Sequence, residues 1–218
     1  MLDAMTAPLA RTQGILFDFN GTLSDDEDLL RTCYDHALRE LGHPALRERE
    51  YAALLGRSEP DVAEALIRAR VTSEIHVRTE ALIDAVARHY QAACRAAPRV
   101  SAATAGMVRT LAQTHALGIV TGTLRRLIEP VLADLGIADC FRTVITVEDV
   151  RRGKPDPEGF LLGAEALGLP PERILVFEDS AAGVAAARAA GMAVIAVGEA
   201  AGLPEYLERI EDFRVAVQ

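Results

Sequence analysis

No tryptophan occurs in this chain of 218 residues, only 5% of it is aromatic, and its 23 basic residues include a single lysine, Lys154. A core short of rings is filled by aliphatic side chains, and the abundance of Ala, Leu and Val suits helices packed on a parallel sheet. Cysteine is scarce as well. Cys33, Cys94 and Cys140 are widely spaced and odd in number, which argues against a disulfide framework or a clustered metal site. Buried free thiols in a reducing, cytoplasmic setting are the expectation. No uninterrupted apolar run approaches membrane-spanning length. Met1 to Gln13 holds an acid and no apolar stretch, so a secretory signal is not expected either. Positive charge is in deficit, with a net charge of −9 and a pI near 5.1, which argues against nucleic-acid partners or an anionic-membrane surface. An anionic substrate must therefore be met by local devices: a metal ion, helix N-termini or a few basic side chains.

What the chain does have is 50% hydrophobic residues, enough for one large domain or for a core plus a smaller insert. Its organising stretch is Gly14-Ile15-Leu16-Phe17-Asp18-Phe19-Asn20-Gly21-Thr22-Leu23. An apolar run ends abruptly in a carboxylate, followed by a turn-forming Asn-Gly pair and a hydroxyl. A strand of this kind delivers Asp18 to the edge of a sheet, where a loop can present it to a ligand. The same pattern is also that of a plain turn.

From Asp25 to Ala97 the periodicity is helical. Asp25-Asp26-Glu27-Asp28 puts acids at a helix start, where the macrodipole favours them, and that helix is expected to run to Leu41. Further helices are expected near Arg47–Leu55, Glu59–Ala69 and Ser73–Ala96, with Ser58 as N-cap of the third and Pro60 in its first turn. This block reads as a helical domain, residues 24–97, inserted into a core made of residues 1–23 and 98–218. From Ser101 onward helices alternate with strands at Leu117–Thr121, Thr143–Thr146, Ile174–Phe177 and Ala193–Val197. That alternation implies right-handed βαβ units and a Rossmann-like α/β core with a buried parallel sheet between helical layers. Glu205 to Gln218 reads as one short helix and an edge strand at Phe213–Val217.

Ligands of such sheets bind beyond the carboxyl ends of the strands. The first strand ends at Asp18 and the second at Thr121, followed by Gly122-Thr123. The third is followed by Arg151-Arg152-Gly153-Lys154-Pro155-Asp156-Pro157, and the fourth by Glu178-Asp179-Ser180 with Gly183 in the next helix. These are the parts of a phosphate-transfer site: nucleophile, hydroxyl, cation and acidic metal ligands. Bland readings exist for each alone, Thr121 as a turn residue and Ser180 as a helix N-cap. Lys154 resists one, because a chain that otherwise uses Arg throughout keeps a compact ammonium there.

In this order the pieces resemble the haloacid dehalogenase superfamily, whose phosphatases carry an Asp-x-Asp-Gly-Thr loop, a Ser/Thr strand end, a Lys and an acidic pair. The helical insert, with Gly56-Arg57-Ser58, resembles the cap of the beta-phosphoglucomutase-like phosphatase branch. The resemblance spans Gly14 to Val197. It implies Mg²⁺-dependent phosphoryl transfer from a small phosphorylated metabolite through an aspartyl-phosphate. Asp18 would be the nucleophile, and Mg²⁺ would be held by Asp18, the backbone carbonyl of Asn20, Asp179 and Glu178. Lys154 would bridge Asp18 and phosphate. Thr121, with Gly21, Thr22, Gly122 and Thr123, would bind the phosphoryl group, and Arg57 would read the leaving group from the cap.

Asn20 departs from the pattern, for the family's phosphatases have an Asp there that serves as general acid and base. An amide does neither at neutral pH, and the loss of such help typically slows a reaction by about 10²–10⁴-fold. The preferred reading is a phosphatase with another proton source or a leaving group that needs none. The alternative is a catalytically weak phosphate-ligand-binding or regulatory protein. Phosphomutase, phosphonatase and dehalogenase readings fit less well: the first leans on the missing Asp, the second needs a cap lysine, and the third has no use for Glu178-Asp179.

Overall fold

Three short, wholly buried segments, a fourth buried except at its first residue, and one half-buried one account for the sheet. In the structure, a computed structural model, residues 12–54, 57–71 and 74–197 are described. The strands β1 (Gly14–Phe17), β2 (Ala116–Val120), β3 (Phe141–Ile145), β4 (Ile174–Glu178) and β5 (Ala193–Ala196) form a five-stranded sheet in the order β3-β2-β1-β4-β5. Every pairing is parallel. Side chains alternate between faces, and both faces are covered. Ile15, Phe17, Ile119 and Phe177 join one buried cluster, while Leu16, Val120, Val176 and Val194 join the other. Phe17 stacks on Phe177 at 5.3 Å between ring centroids. The order places β1 centrally, so the residue after it lies between the ends of β2 and β4.

Eight α-helices complete the described residues: α1 (Glu27–Glu40), α2 (Glu48–Ala52), α3 (Glu59–Arg68), α4 (Ile75–Ala96), α5 (Ala102–Leu111), α6 (Arg125–Asp134), α7 (Glu158–Leu167) and α8 (Ala181–Ala189). Helices α1 to α4 all fall between β1 and α5. They bury Leu30, Tyr34, Leu38, Leu66, Leu82 and Tyr90 in the cluster that also holds Phe17 and Phe177. The chain leaves and re-enters the α/β part side by side, the Asp25 N–H donating to the Arg99 carbonyl at 3.1 Å. Ser58 caps α3 as the sequence implies, accepting from the Asp61 N–H.

Element boundaries differ from expectation at several ends. The first helix starts at Glu27 rather than Asp25, because Asp26 makes no cap bond and turns its carboxylate inward. Helix α5 stops at Leu111, and strand β2 begins one residue before the expected Leu117, at Ala116, and ends at Val120. Strand β3 begins at Phe141, two residues before the expected Thr143. Exposed Arg142 breaks the apolar pattern there, and the pairing with β2 shifts register between Leu117 and Gly118. The helix expected over Arg47–Leu55 is only Glu48–Ala52. Leu55, Gly56, Ser73 and the expected C-terminal helix and strand lie outside the described residues. Among the described residues no helix is long and apolar enough to cross a membrane.

Candidate active site

The carboxyl ends of β1, β2 and β4, with the loop after β3, meet around Asp18. Its backbone N–H extends the sheet ladder by donating to the Phe177 carbonyl at 2.9 Å, which fixes the start of a tight loop. Within that loop Leu23 and Ser24 both donate to the Phe19 carbonyl, and Gly21 donates to the Ser24 carbonyl at 2.8 Å. Gly21 adopts φ +78°, and a β-carbon there would stand 2.1 Å from Asp179 Oδ2. Glycine is thus required both by the backbone and by the neighbouring carboxylate.

At the end of β4, Glu178 is 1% exposed. Its Oε2 accepts from the Ser180 N–H at 2.7 Å and the Ser180 hydroxyl at 2.9 Å. The same hydroxyl caps α8 by accepting from the Gly183 N–H at 3.0 Å. A β-carbon on Gly183 would fall 1.8 Å from Glu178 Oε1, so the first turn of α8 is shaped around this carboxylate.

Lys154 reaches in from the loop after β3. Its Nζ donates to Asp18 Oδ1 at 2.6 Å and to Glu178 Oε1, while the ammonium lies 5.3 Å from the centroid of the Phe160 ring. Burial alone would push its pKa down, but the adjacent Asp18 and Glu178 carboxylates hold it above the ordinary lysine value. Asp18 is raised well above the usual carboxylate range, first by burial and then by Glu178 and Asp179, against the pull of Lys154. Burial and Glu178 push Asp179 up to about 6. Ligand oxygens of Asp18, Glu178 and Asp179 lie within 4.8 Å of one another. Three carboxylates against one ammonium leave negative charge uncompensated in a buried place, and all the donors are hard oxygens. That donor set fits a small divalent cation.

Beyond β2, the Thr121 hydroxyl accepts from the Thr123 N–H at 3.2 Å, and the Thr123 hydroxyl donates to Asn20 Oδ1. The other end of the Asn20 amide donates to Asp26 Oδ2 at 2.9 Å. That oxygen also accepts from the Ser24 hydroxyl at 2.8 Å and from the Tyr90 hydroxyl of α4. Burial raises the Asp26 carboxyl to about 6, and its Oδ1 is buried with no hydrogen-bond partner. Asn20 is therefore clamped at both ends of its amide.

A cavity of about 1270 Å³ opens above these groups, between the strand ends and helices α1 to α3. Asp18, Asn20 and Gly21 line it, as do Thr121, Gly122 and Thr123, and so do Lys154, Glu178 and Asp179. Thr22 is the exception: it is buried, and its hydroxyl donates to Asp179 Oδ1 at 3.3 Å, so it supports a carboxylate rather than facing the cavity. Arg57 lines the cavity and is exposed. Sequence reasoning assigns no role to Asp26 or Glu59. Both read as first-turn helix acids, yet Asp26 is 1% and Glu59 8% exposed. The adjacent Ser24 and the mid-helix Tyr34 and Tyr90 that bind them carry no local signal of it.

The family model for haloacid dehalogenase-like hydrolases matches residues 15–197. A fructose-1-phosphate phosphatase of Escherichia coli K12 is 31% identical over 86% of this chain and 97% of its own. Hexitol phosphatase A of the same organism is 30% identical over 91% of this chain and 88% of its own. Among solved structures, CbbY from Rhodobacter sphaeroides in complex with phosphate superposes with a TM-score of 0.78, covering 94% of this chain and 96% of that one at 23% identity.

Proposed function

The chain belongs to the haloacid dehalogenase-like hydrolase family, and we propose that it is a phosphatase acting on a small phosphomonoester through an aspartyl-phosphate on Asp18. The observation that carries this reading is the Asp18–Lys154–Glu178 triad. A buried carboxylate at the end of the central strand is held at 2.6 Å by the chain's one lysine, itself tied to Glu178. The relatives named as phosphatases support it.

In the proposed step, a carboxylate oxygen of Asp18 attacks phosphorus in line and the ester oxygen departs with its electron pair. The approach brings an anion against an anion, so positive charge must lie where negative charge develops. Lys154 supplies it at Asp18. Asp18, the Asn20 carbonyl, Glu178 and Asp179 would hold Mg²⁺, which when bound neutralises phosphoryl oxygens and orients the group. Thr121 and the backbone N–H groups after β2 would take the remaining phosphoryl oxygens. Water then attacks the acyl phosphate, releasing inorganic phosphate and restoring the carboxylate, and the proton it gives up to solvent balances the one that solvent delivers to the departed alkoxide. Residues 24–97 would act as a cap that closes the cavity, excludes water during transfer and contacts the alcohol.

The Asn20 amide has no proton to give the leaving alkoxide. Its clamp between Thr123 and Asp26 supports a second reading, a phosphate-ester binding protein that turns over slowly. Phosphate release with Mg²⁺ and with EDTA, on the wild type, Asp18→Ala and Asn20→Asp, separates the two. The phosphatase reading expects metal-dependent release that Asp18→Ala abolishes. No turnover in the wild type, with saturable ester binding and a gain of about 10²-fold or more in Asn20→Asp, would favour the binding protein.

A further inference from the structure

Beyond the phosphate site the cavity is bounded by helices α1 to α3, whose buried charge is of one sign, while Arg57, Arg151 and Arg152 line it as exposed side chains. The helical block contributes two buried charged side chains to the cavity lining, Asp26 and Glu59, both acids. Its one cation in that lining among the described residues, Arg57, is exposed. Asp26 is engaged with Asn20, Ser24 and Tyr90. Glu59 is differently placed. Its backbone N–H donates to the Gly122 carbonyl at 3.3 Å, which docks the start of α3 on the loop that follows Thr121. Its Oε2 accepts from the Tyr34 hydroxyl at 2.5 Å, and the same hydroxyl lies 3.3 Å from its carbonyl. Among the described residues no donor reaches Oε1. A carboxylate accepts at both oxygens, so this one keeps an acceptor for a ligand, held rigidly beside the loop proposed to bind phosphate.

We propose that Glu59 reads the alcohol end of the substrate, selecting phosphomonoesters of neutral polyhydroxy alcohols over those that carry a second anion. The inference rests on the phosphatase reading and refines it. A substrate hydroxyl gives Oε1 the donor it lacks. A second carboxylate or phosphate in the same place meets a buried acid with no buried cation of the block to offset it, and like charges brought together out of water are strongly disfavoured. Burial also pushes the Glu59 carboxyl up to about 7, a perturbation of the kind that clusters at functional sites, and its full negative charge is present above that value.

The test is a selectivity ratio: kcat/KM for sorbitol 6-phosphate divided by that for phosphoglycolate, measured in the wild type and in the Asn20→Asp background. The wild type is expected to favour the hexitol ester by about tenfold or more, the scale of one hydrogen bond to a charged group. Glu59→Gln should narrow the ratio by about tenfold and Glu59→Arg should invert it. A wild-type preference for phosphoglycolate, or a ratio unmoved in both variants, overturns the proposal. Calorimetric binding of the same two esters to Asp18→Ala reads the ratio without turnover. Mg²⁺-dependent hydrolysis of p-nitrophenyl phosphate by the wild type tests the phosphatase reading separately, so the two can fail independently.

Discussion

The amide nitrogen of Asn20 donates to Oδ2 of Asp26 across 2.9 Å. This contact ties the loop after β1 to the residue just before α1, at an oxygen that Tyr90 also binds from α4. An amide is the natural partner for a buried carboxylate; a second carboxylate would not be.

Asn20→Asp should therefore lose stability even where it gains turnover. It replaces a donor with a like charge facing a buried acid, and in EDTA at neutral pH the loss should be about 1–3 kcal/mol. Asp26→Asn in the same chain should restore most of it, because an amide then faces the new carboxylate. Urea denaturation of the four proteins of this double-mutant cycle measures the coupling. Additive losses would contradict it.

Lys154→Met should abolish phosphate release and also unfold more readily. It leaves Asp18 and Glu178, 7% and 1% exposed, without their shared cation. Breaking a buried ion pair from one side costs about 3–5 kcal/mol. Mg²⁺ should raise the melting temperature of this variant, since a divalent cation can take the place of the missing charge. A variant as stable as the wild type without metal would show that the triad is not a buried ionic unit.

Gly183→Ala should damage the site although Gly183 touches no substrate in the proposed reaction. The added β-carbon would lie 1.8 Å from Glu178 Oε1, so Glu178 must leave its contacts with Lys154 and Ser180. A fall in kcat/KM of about tenfold or more is expected, with weaker Mg²⁺ binding by calorimetry. Wild-type metal affinity in this variant would argue against Glu178 as a metal-supporting group.

Glu59 gives a pH dependence whose sign can be worked out. Its folded pKa is raised from 4.5 to about 7, mainly by burial, so the unfolded chain loses this proton first. Between those values the folded state holds the extra proton, and stability falls as pH rises through the window. The effect is complete above about pH 7 and amounts to about 3 kcal/mol. Glu59→Gln keeps an acceptor for Tyr34 and should stabilise the protein at pH 8 but hardly at pH 4.5, measured by urea midpoints. An equal gain at both values would mean that ionisation is not the cause. Stability gained at pH 8 together with selectivity lost would identify a carboxylate kept for function.

The sheet was readable because strands buried on both faces are continuous apolar runs, and because the polar residue ending each run reports its own position. Asp18, Thr121, Glu178 and Asp179 stand at or just after strand ends, where this pattern puts them. The start of β3 was not, because Arg142 interrupts the run at a register irregularity that only pairing with β2 accommodates. Asp26 and Glu59 were illegible for a related reason. Local sequence makes each a helix-start acid, and only long-range contacts, with Tyr90 and Asn20 for one and with Tyr34 and Gly122 for the other, make them buried. The expectation that Thr22 binds the phosphoryl group meets a hydroxyl that donates to Asp179 Oδ1, and sequence does not tell a hydroxyl facing a ligand from one facing a carboxylate.

Lys154 is the chain's sole side-chain amine, and it lies inside the cavity against Asp18. Reagents that acylate or reductively methylate ε-amines therefore have one target side chain, and it is in the reaction centre. A ¹³C-dimethyl tag placed there would give a single ε-amine resonance whose shift follows the occupancy of the site. The rate of tagging would itself be a footprint of whatever anion or cation fills it. The same composition that leaves the surface to arginine thus equips the molecule with a built-in spectroscopic reporter.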